Sequence, residues 1–134
     1  MGTYTELVLK CTLKKESSIP PDVLNILKYL FRDRVEIKDT AIPNHPFFSC
    51  PHWRAIGYMN SVYHIPETFN FFEGNKIFSR SDTKNYDSEI ELFIDWLLPY
   101  LDHQTGDCIG WVWHEELLKP KLIKYIKSGM KIKN

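Results

Sequence analysis

The tightest constraint on this chain is that its apolar residues change period along the sequence. From Tyr4 to Leu13 they alternate, with Leu7, Leu9, Cys11 and Leu13 on one side and Glu6, Lys10 and Thr12 on the other. A period of two is the mark of a half-buried strand. After the polar run Lys14–Ser18 the period becomes helical. Pro20-Pro21-Asp22 suits a first helical turn, where proline costs nothing and an acid complements the dipole. Val23, Leu24, Ile26, Leu27, Leu30 and Phe31 then form one apolar stripe. A strand and a helix so close together must bury their apolar sides against each other.

Periodicity is lost from Arg32 to Pro51, where Pro43, Pro46 and Pro51 exclude regular elements. This is a long connection carrying Phe47, Phe48 and, just beyond, Trp53. Ala55–His64 reads as a second strand, Pro66–Gly74 as an aromatic turn, and Lys76–Thr83 as a third strand closing a hairpin. Asn85 and Asp87 are candidate caps for a second helix with Ile90, Phe93, Ile94, Leu97, Leu98 and Leu101 at helical spacing. Pro99 bends its last turn and Gly106 ends it. Cys108–His114 and Lys121–Ile126 read as a fourth and a fifth strand, antiparallel to each other, and the last residues fray.

The expected fold is therefore α+β, a ferredoxin-like β-α-β-β-α-β-β sandwich with two helices on one face of an antiparallel sheet. One domain spans residues 1–134, with a basic tail from about residue 127. The other sheet face should be polar if it meets water. Yet Ile109, Trp111 and Trp113 share one side of the fourth strand, and Leu122 and Ile126 oppose Ile123 and Tyr125 in the fifth. Ile56, Tyr58 and Val62 oppose Ala55, Met59 and Tyr63 in the second. Something should cover the second face: the connection around residues 42–53, the Phe69–Phe72 turn, or another copy of the chain. Tyr58, Trp111, Trp113, Leu122 and Ile126 are the candidate interface of a homo-oligomer or a protein partner.

Charge bears on partners. Seventeen basic and seventeen acidic residues cancel, but six lysines and no acid lie between Leu117 and Asn134. A basic end complementing an acidic body is the simple account. The sheet order resembles that of RNA-binding RRM domains, but their basic-glycine-aromatic signature is missing and the net charge is zero, so nucleic acid is not expected. No stretch approaches the roughly 20 apolar residues of a membrane span. Met1–Thr5 lacks the pattern of a secretory signal. Three cysteines, Cys11, Cys50 and Cys108, make no disulfide framework. A cytoplasmic protein with free thiols and no cofactor is expected.

The candidate chemistry is sparse. His45, Cys50, His52 and Cys108 are metal-ligand types, but their spacing matches no zinc pattern, and no metal is expected. Three cysteines and five histidines allow a thiol-histidine pair, which keeps a hydrolase in view as the weakest alternative. The junction of the third strand with the second helix is the place for a small anionic or nucleotide-like ligand, with Arg80, Lys84, Asn85, Tyr86, His114 and Glu115 around it. No glycine-rich phosphate loop accompanies them.

Lys84-Asn85-Tyr86-Asp87-Ser88-Glu89-Ile90, Phe93-Ile94-Asp95-Trp96-Leu97, Gly110 with His114-Glu115-Glu116, and Pro120 with Leu122-Ile123 together resemble a pattern in a family of small bacterial and phage proteins. The resemblance extends over roughly residues 3–126 and includes His45-Pro46-Phe47-Phe48. That family has no established activity, so the resemblance implies a prokaryotic or viral setting and assigns no catalytic residue. The reading that follows is a small interaction or inhibitory module, phage or mobile-element encoded, that acts by binding rather than catalysis.

Overall fold

The first strand, β1 (Thr5–Thr12), forms where the alternation predicts it and becomes a central strand of the sheet. The computed structural model describes residues 4–33, 36–58, 68–85, 87–126 and 131–132. Helix α1 (Pro21–Phe31) follows, with Pro21 in its first turn and Val23, Ile26, Leu27, Tyr29, Leu30 and Phe31 buried. Strands β2 (Phe69–Glu73) and β3 (Lys76–Thr83) make a tight hairpin through Gly74-Asn75. Helix α2 (Glu89–Leu97) runs into a 3₁₀ turn at Leu98–Tyr100. Strands β4 (Cys108–His114), β5 (Lys121–Lys124) and the short β6 (Lys131–Ile132) complete the described elements.

The strands form one sheet in the order β2-β3-β1-β4-β5-β6, and every neighbouring pair is antiparallel. Both helices contribute to one core with the inward residues of β1, Leu7, Leu9 and Cys11. The architecture is thus α+β, with an antiparallel sheet and two helices. No described helix is long and apolar enough to cross a membrane.

Three expectations need correction. Ala55, the expected start of the second strand, instead ends a 3₁₀ turn (Trp53–Ala55), and 56–58 continue in turns. Ile56 is fully buried there, and its carbonyl accepts a hydrogen bond from the Ser81 hydroxyl. Residues 59–64 of the expected strand lie outside the described residues, as do Met59, Val62 and Tyr63 of its face assignment. The partner of β3 is instead Phe69–Glu73, read from sequence as a turn.

The aromatic connection also lies elsewhere. Pro46–Ser49 forms a 3₁₀ turn that packs on α2. Phe47 is fully buried between Phe93 and Trp96, and Phe48 meets Trp53 and Trp96 edge to face. His45 fixes the turn: its Nδ1 accepts from the Phe47 N–H, so Nε2 carries the proton donated to Asp95. This segment thickens the helix layer and leaves the other sheet face alone.

The third correction concerns β4. A register shift between Cys108 and Gly110 turns the strand over. Ile109 therefore enters the core together with Val112, although strict alternation puts them on opposite sides. Gly110 makes this possible. Its φ is +148°, and a Cβ there would overlap the Val8 carbonyl. Trp111 and Trp113 then share the outer face without Ile109.

Candidate functional site

The register defines what lies on the face away from the helices. Cross-strand partners align Phe69, Arg80, Val8, Trp111 and Leu122 in one row from β2 to β5. Phe71, Phe78 and Lys10 form a second row. Asp82, Glu6 and Trp113 form a third. Partners in register share a face, so these residues make one continuous surface.

Five large apolar side chains of this surface stay open, while Trp111 is half-buried. Phe69, Phe71, Phe78, Trp113 and Leu122 are between 38% and 49% exposed. Among the described residues the only other exposed large apolar side chains are Leu117 and Leu118, in the turn after β4. Phe69 and Phe78 meet edge to face at 5.0 Å, and the Lys10 ammonium lies 5.8 Å from the Phe78 ring centre.

A buried ionic cluster sits in the middle of these residues. The Arg80 guanidinium donates from Nη1 and Nη2 to the two oxygens of Asp82, at 3.0 and 3.1 Å. Its Nε donates to Glu6 at 2.8 Å, and Nη2 reaches the same Glu6 oxygen at 2.7 Å. The second Glu6 oxygen accepts from Trp111 Nε1 at 2.8 Å. Side-chain exposure is 5% for Arg80, 0% for Asp82 and 17% for Glu6. A planar fork gripping two carboxylates is the geometry in which a buried charge is tolerated. The cluster fixes β3 to β1 and orients the Trp111 indole.

This differs from the expected role of Arg80. Both carboxylates hold its guanidinium on the outer face, so it does not offer charge to a ligand at the β3–α2 junction. Asn85 is also committed. It has φ +54° and its side-chain oxygen accepts from the Ile90 N–H, while its amide donates to Glu91. The N-cap residue itself is Ser88, also left-handed and without a side-chain cap bond, so neither expected cap occupies that position. Glu89 is buried beneath the junction, accepting from the Thr83 hydroxyl and the Asp87 N–H. Lys84 is exposed, with its ammonium 5.8 Å from the Tyr4 ring centre. Tyr86 lies outside the described residues. His114 pairs with Thr5 at the end of β4, and its Nδ1 accepts from the Glu116 N–H. Glu115 is exposed in the turn that follows.

A cavity of about 300 Å³ brings two of these residues together. Asn85 and His114 line it with Thr5, Glu91, Val112, Leu117 and Lys121. Of the expected interface residues, Trp111, Trp113 and Leu122 lie on the open face. Tyr58 instead lines a cleft beside the β2 edge with Phe69 and Phe71. Ile126 follows β5, half-buried. Sequence reasoning missed Phe69, Phe71 and Phe78 as surface residues and Glu6 and Asp82 as partners of Arg80. The alternation Phe69-x-Phe71 was the available signal for the first group.

Two of the three thiols, Cys11 and Cys50, are shifted away from activation. Burial pushes the Cys11 thiol up to about 12. Burial, then the charges of Glu89 and Asp87, raises Cys50. A reactive cysteine needs the opposite shift. Among the described residues no group of three His, Cys, Asp or Glu side chains is placed to hold a metal. No protein-family model matches the chain, and comparison with curated proteins and with solved structures returned no match.

Proposed function

We propose that the chain is a small binding module that works through the open face of its sheet, with a second protein surface as the occupant. The first candidate is another copy of the same chain, and a different protein that the module inhibits or recruits is the other. The observation carrying this reading is the gathering of Phe69, Phe71, Phe78, Trp113 and Leu122 on one face, all well exposed. Exposed apolar side chains gathered on one face in this way mark association sites. The buried Glu6–Arg80–Asp82 cluster supplies a rigid centre, so the surface is shaped before a partner arrives.

We read the fold as ferredoxin-like with additions. The order β2-β3-β1-β4, with a helix after β1 and another after β3, supports this, while β5 and β6 extend the sheet beyond β4. A cytoplasmic, phage or bacterial setting belongs to the same proposal and rests on the sequence resemblance.

Light scattering after size exclusion tests the self-association. The expected mass exceeds the 15.9 kDa of one chain, and Phe71→Lys with Leu122→Lys returns it to that value without changing Tm. A wild-type mass of one chain at every concentration rules out the homo-oligomer. A second reading, a small anionic ligand at the β3–α2 junction, draws on the cavity shared by Asn85, His114 and Lys121. Thermal shift with nucleotides that disappears in Lys121→Ala would favour it. A shift of zero for every nucleotide tried would end it.

A further inference from the structure

A different region of the surface concentrates positive charge. The segment between β1 and α1, the outer side of α1 and the β2–β3 turn enclose a cavity of about 410 Å³. Leu13, Ile19 and Phe72 line it and are buried at 1%, 5% and 4% exposure, so its floor is apolar. Its walls are cationic. Lys14 and Lys15 come from the connection, and Lys28 and Arg32 come from the end of α1.

Cations at the end of α1 suit the helix dipole, but this does not account for Lys14 and Lys15 gathered beside them. Lys28 and Arg32 are four residues apart, so they project from one side of the helix and repel. Glu16 is the one acidic residue lining the cavity. Among the described residues no ion pair or side-chain hydrogen bond engages Lys14, Lys15 or Lys28. Arg32 donates to Asp33 at 3.2 Å and holds its guanidinium 5.3 Å from the Phe72 ring centre. A concave site with low-dielectric walls and one sign of charge concentrates ions of the other sign.

We propose that this cavity binds a small phosphorylated molecule with an apolar or aromatic body. The phosphate sits among the lysine ammonium groups, which are compact donors suited to it. The body lies against Leu24, which lines the cavity with Ile19 and is half-buried, beside the Arg32 guanidinium that covers the Phe72 ring. The volume falls in the range of about 300–1,000 Å³ typical of small-molecule sites. With Arg32 shared with Asp33, three lysines against the Glu16 carboxylate leave a net charge of about two, which fits a dianion better than a single carboxylate. The cavity shares no residue with the open sheet face, so this site and the association proposed above stand or fall separately.

Calorimetric titration with 1-naphthyl phosphate tests the site, with 1-naphthol and inorganic phosphate as separate arms. Naphthyl phosphate is expected to bind at least about tenfold more tightly than either part alone. Lys14→Ala with Lys15→Ala, and separately Lys28→Glu, should each weaken binding by at least about tenfold at unchanged Tm. Lys121→Ala, at the other cavity, should leave binding as it is. The proposal is overturned if naphthyl phosphate binds more weakly than about 1 mM. It is equally overturned if inorganic phosphate binds as tightly, or if the lysine variants bind like the wild type.

Discussion

Replacing Arg80 by methionine removes the one cation that joins two carboxylates within the sheet. Arg80 touches Asp82 through two hydrogen bonds and Glu6 through two contacts, all between 2.7 and 3.1 Å. Asp82 is fully buried and Glu6 half-buried, at 17% side-chain exposure. The variant leaves two facing carboxylates that water reaches poorly. Breaking a buried pair from one side costs about 3–5 kcal/mol. For a chain of 134 residues that corresponds to a Tm lower by about 10–18 °C. Thermal unfolding followed by far-ultraviolet circular dichroism measures it. Arg80→Lys keeps the charge but loses the fork, and should fall between the two. Adding Asp82→Leu to Arg80→Met removes one of the two like charges and should recover about half the loss or more. A loss below about 1 kcal/mol for Arg80→Met alone would refute the reasoning, because it would place the cluster in contact with solvent.

Three further outcomes follow from the same geometry. Gly110→Ala forces a side chain against the Val8 carbonyl at φ +148°, and should cost about 2–6 kcal/mol in urea unfolding. A neutral result would contradict the register shift in β4. At about pH 8 iodoacetamide should modify Cys108 alone in the folded chain, because Cys11 and Cys50 are buried with raised thiols. Mass spectrometry showing two or three labels before unfolding would count against that burial. The Gln104 N–H and then the His103 side chain lower the Asp107 carboxyl below its ordinary 3.8. A lowered carboxyl contributes stability above the unfolded value and loses it as pH falls through the folded one. The difference between wild type and Asp107→Asn should therefore be present at neutral pH and close in acid, and a gap that widens in acid would reverse the sign.

Much of this fold is written locally and therefore legible. β3 and β4 appear at the residues their composition indicates, and β1 and both helices within a few residues of theirs. In β1 and the two helices a periodic run also names the buried side, whereas in β4 the register shift overrides it. β2 is hard to read because Phe72 beside Phe71 puts an aromatic on each face and blurs the Phe69-x-Phe71 alternation, so the strand resembles an aromatic turn. Ile56 and Tyr58 misled in the opposite sense. They have strand propensity, but Ile56 is held in a turn by the hydroxyl of Ser81, 25 residues away. Propensity gave way there to a tertiary contact. The residues point to Trp111, Trp113 and Leu122 on a face that something should cover, and leave its ionic centre unforeseen. Arg80 finds Glu6 across 74 residues, and only the antiparallel register of β1 and β3 brings them together. That register also turned Arg80 from a candidate ligand group into a structural one. The bulge left a single trace, Gly110, whose reason is the closeness of the Val8 backbone.

Hydroxyl-radical footprinting at low and high protein concentration addresses the open face most directly. Oxidation of Phe69, Phe71, Phe78 and Trp113 should fall as concentration rises, while that of Phe48 and Tyr100 in the helix layer stays constant. Equal oxidation of the four sheet residues at both concentrations, or protection confined to the helix layer, would contradict association of this chain with itself through that face.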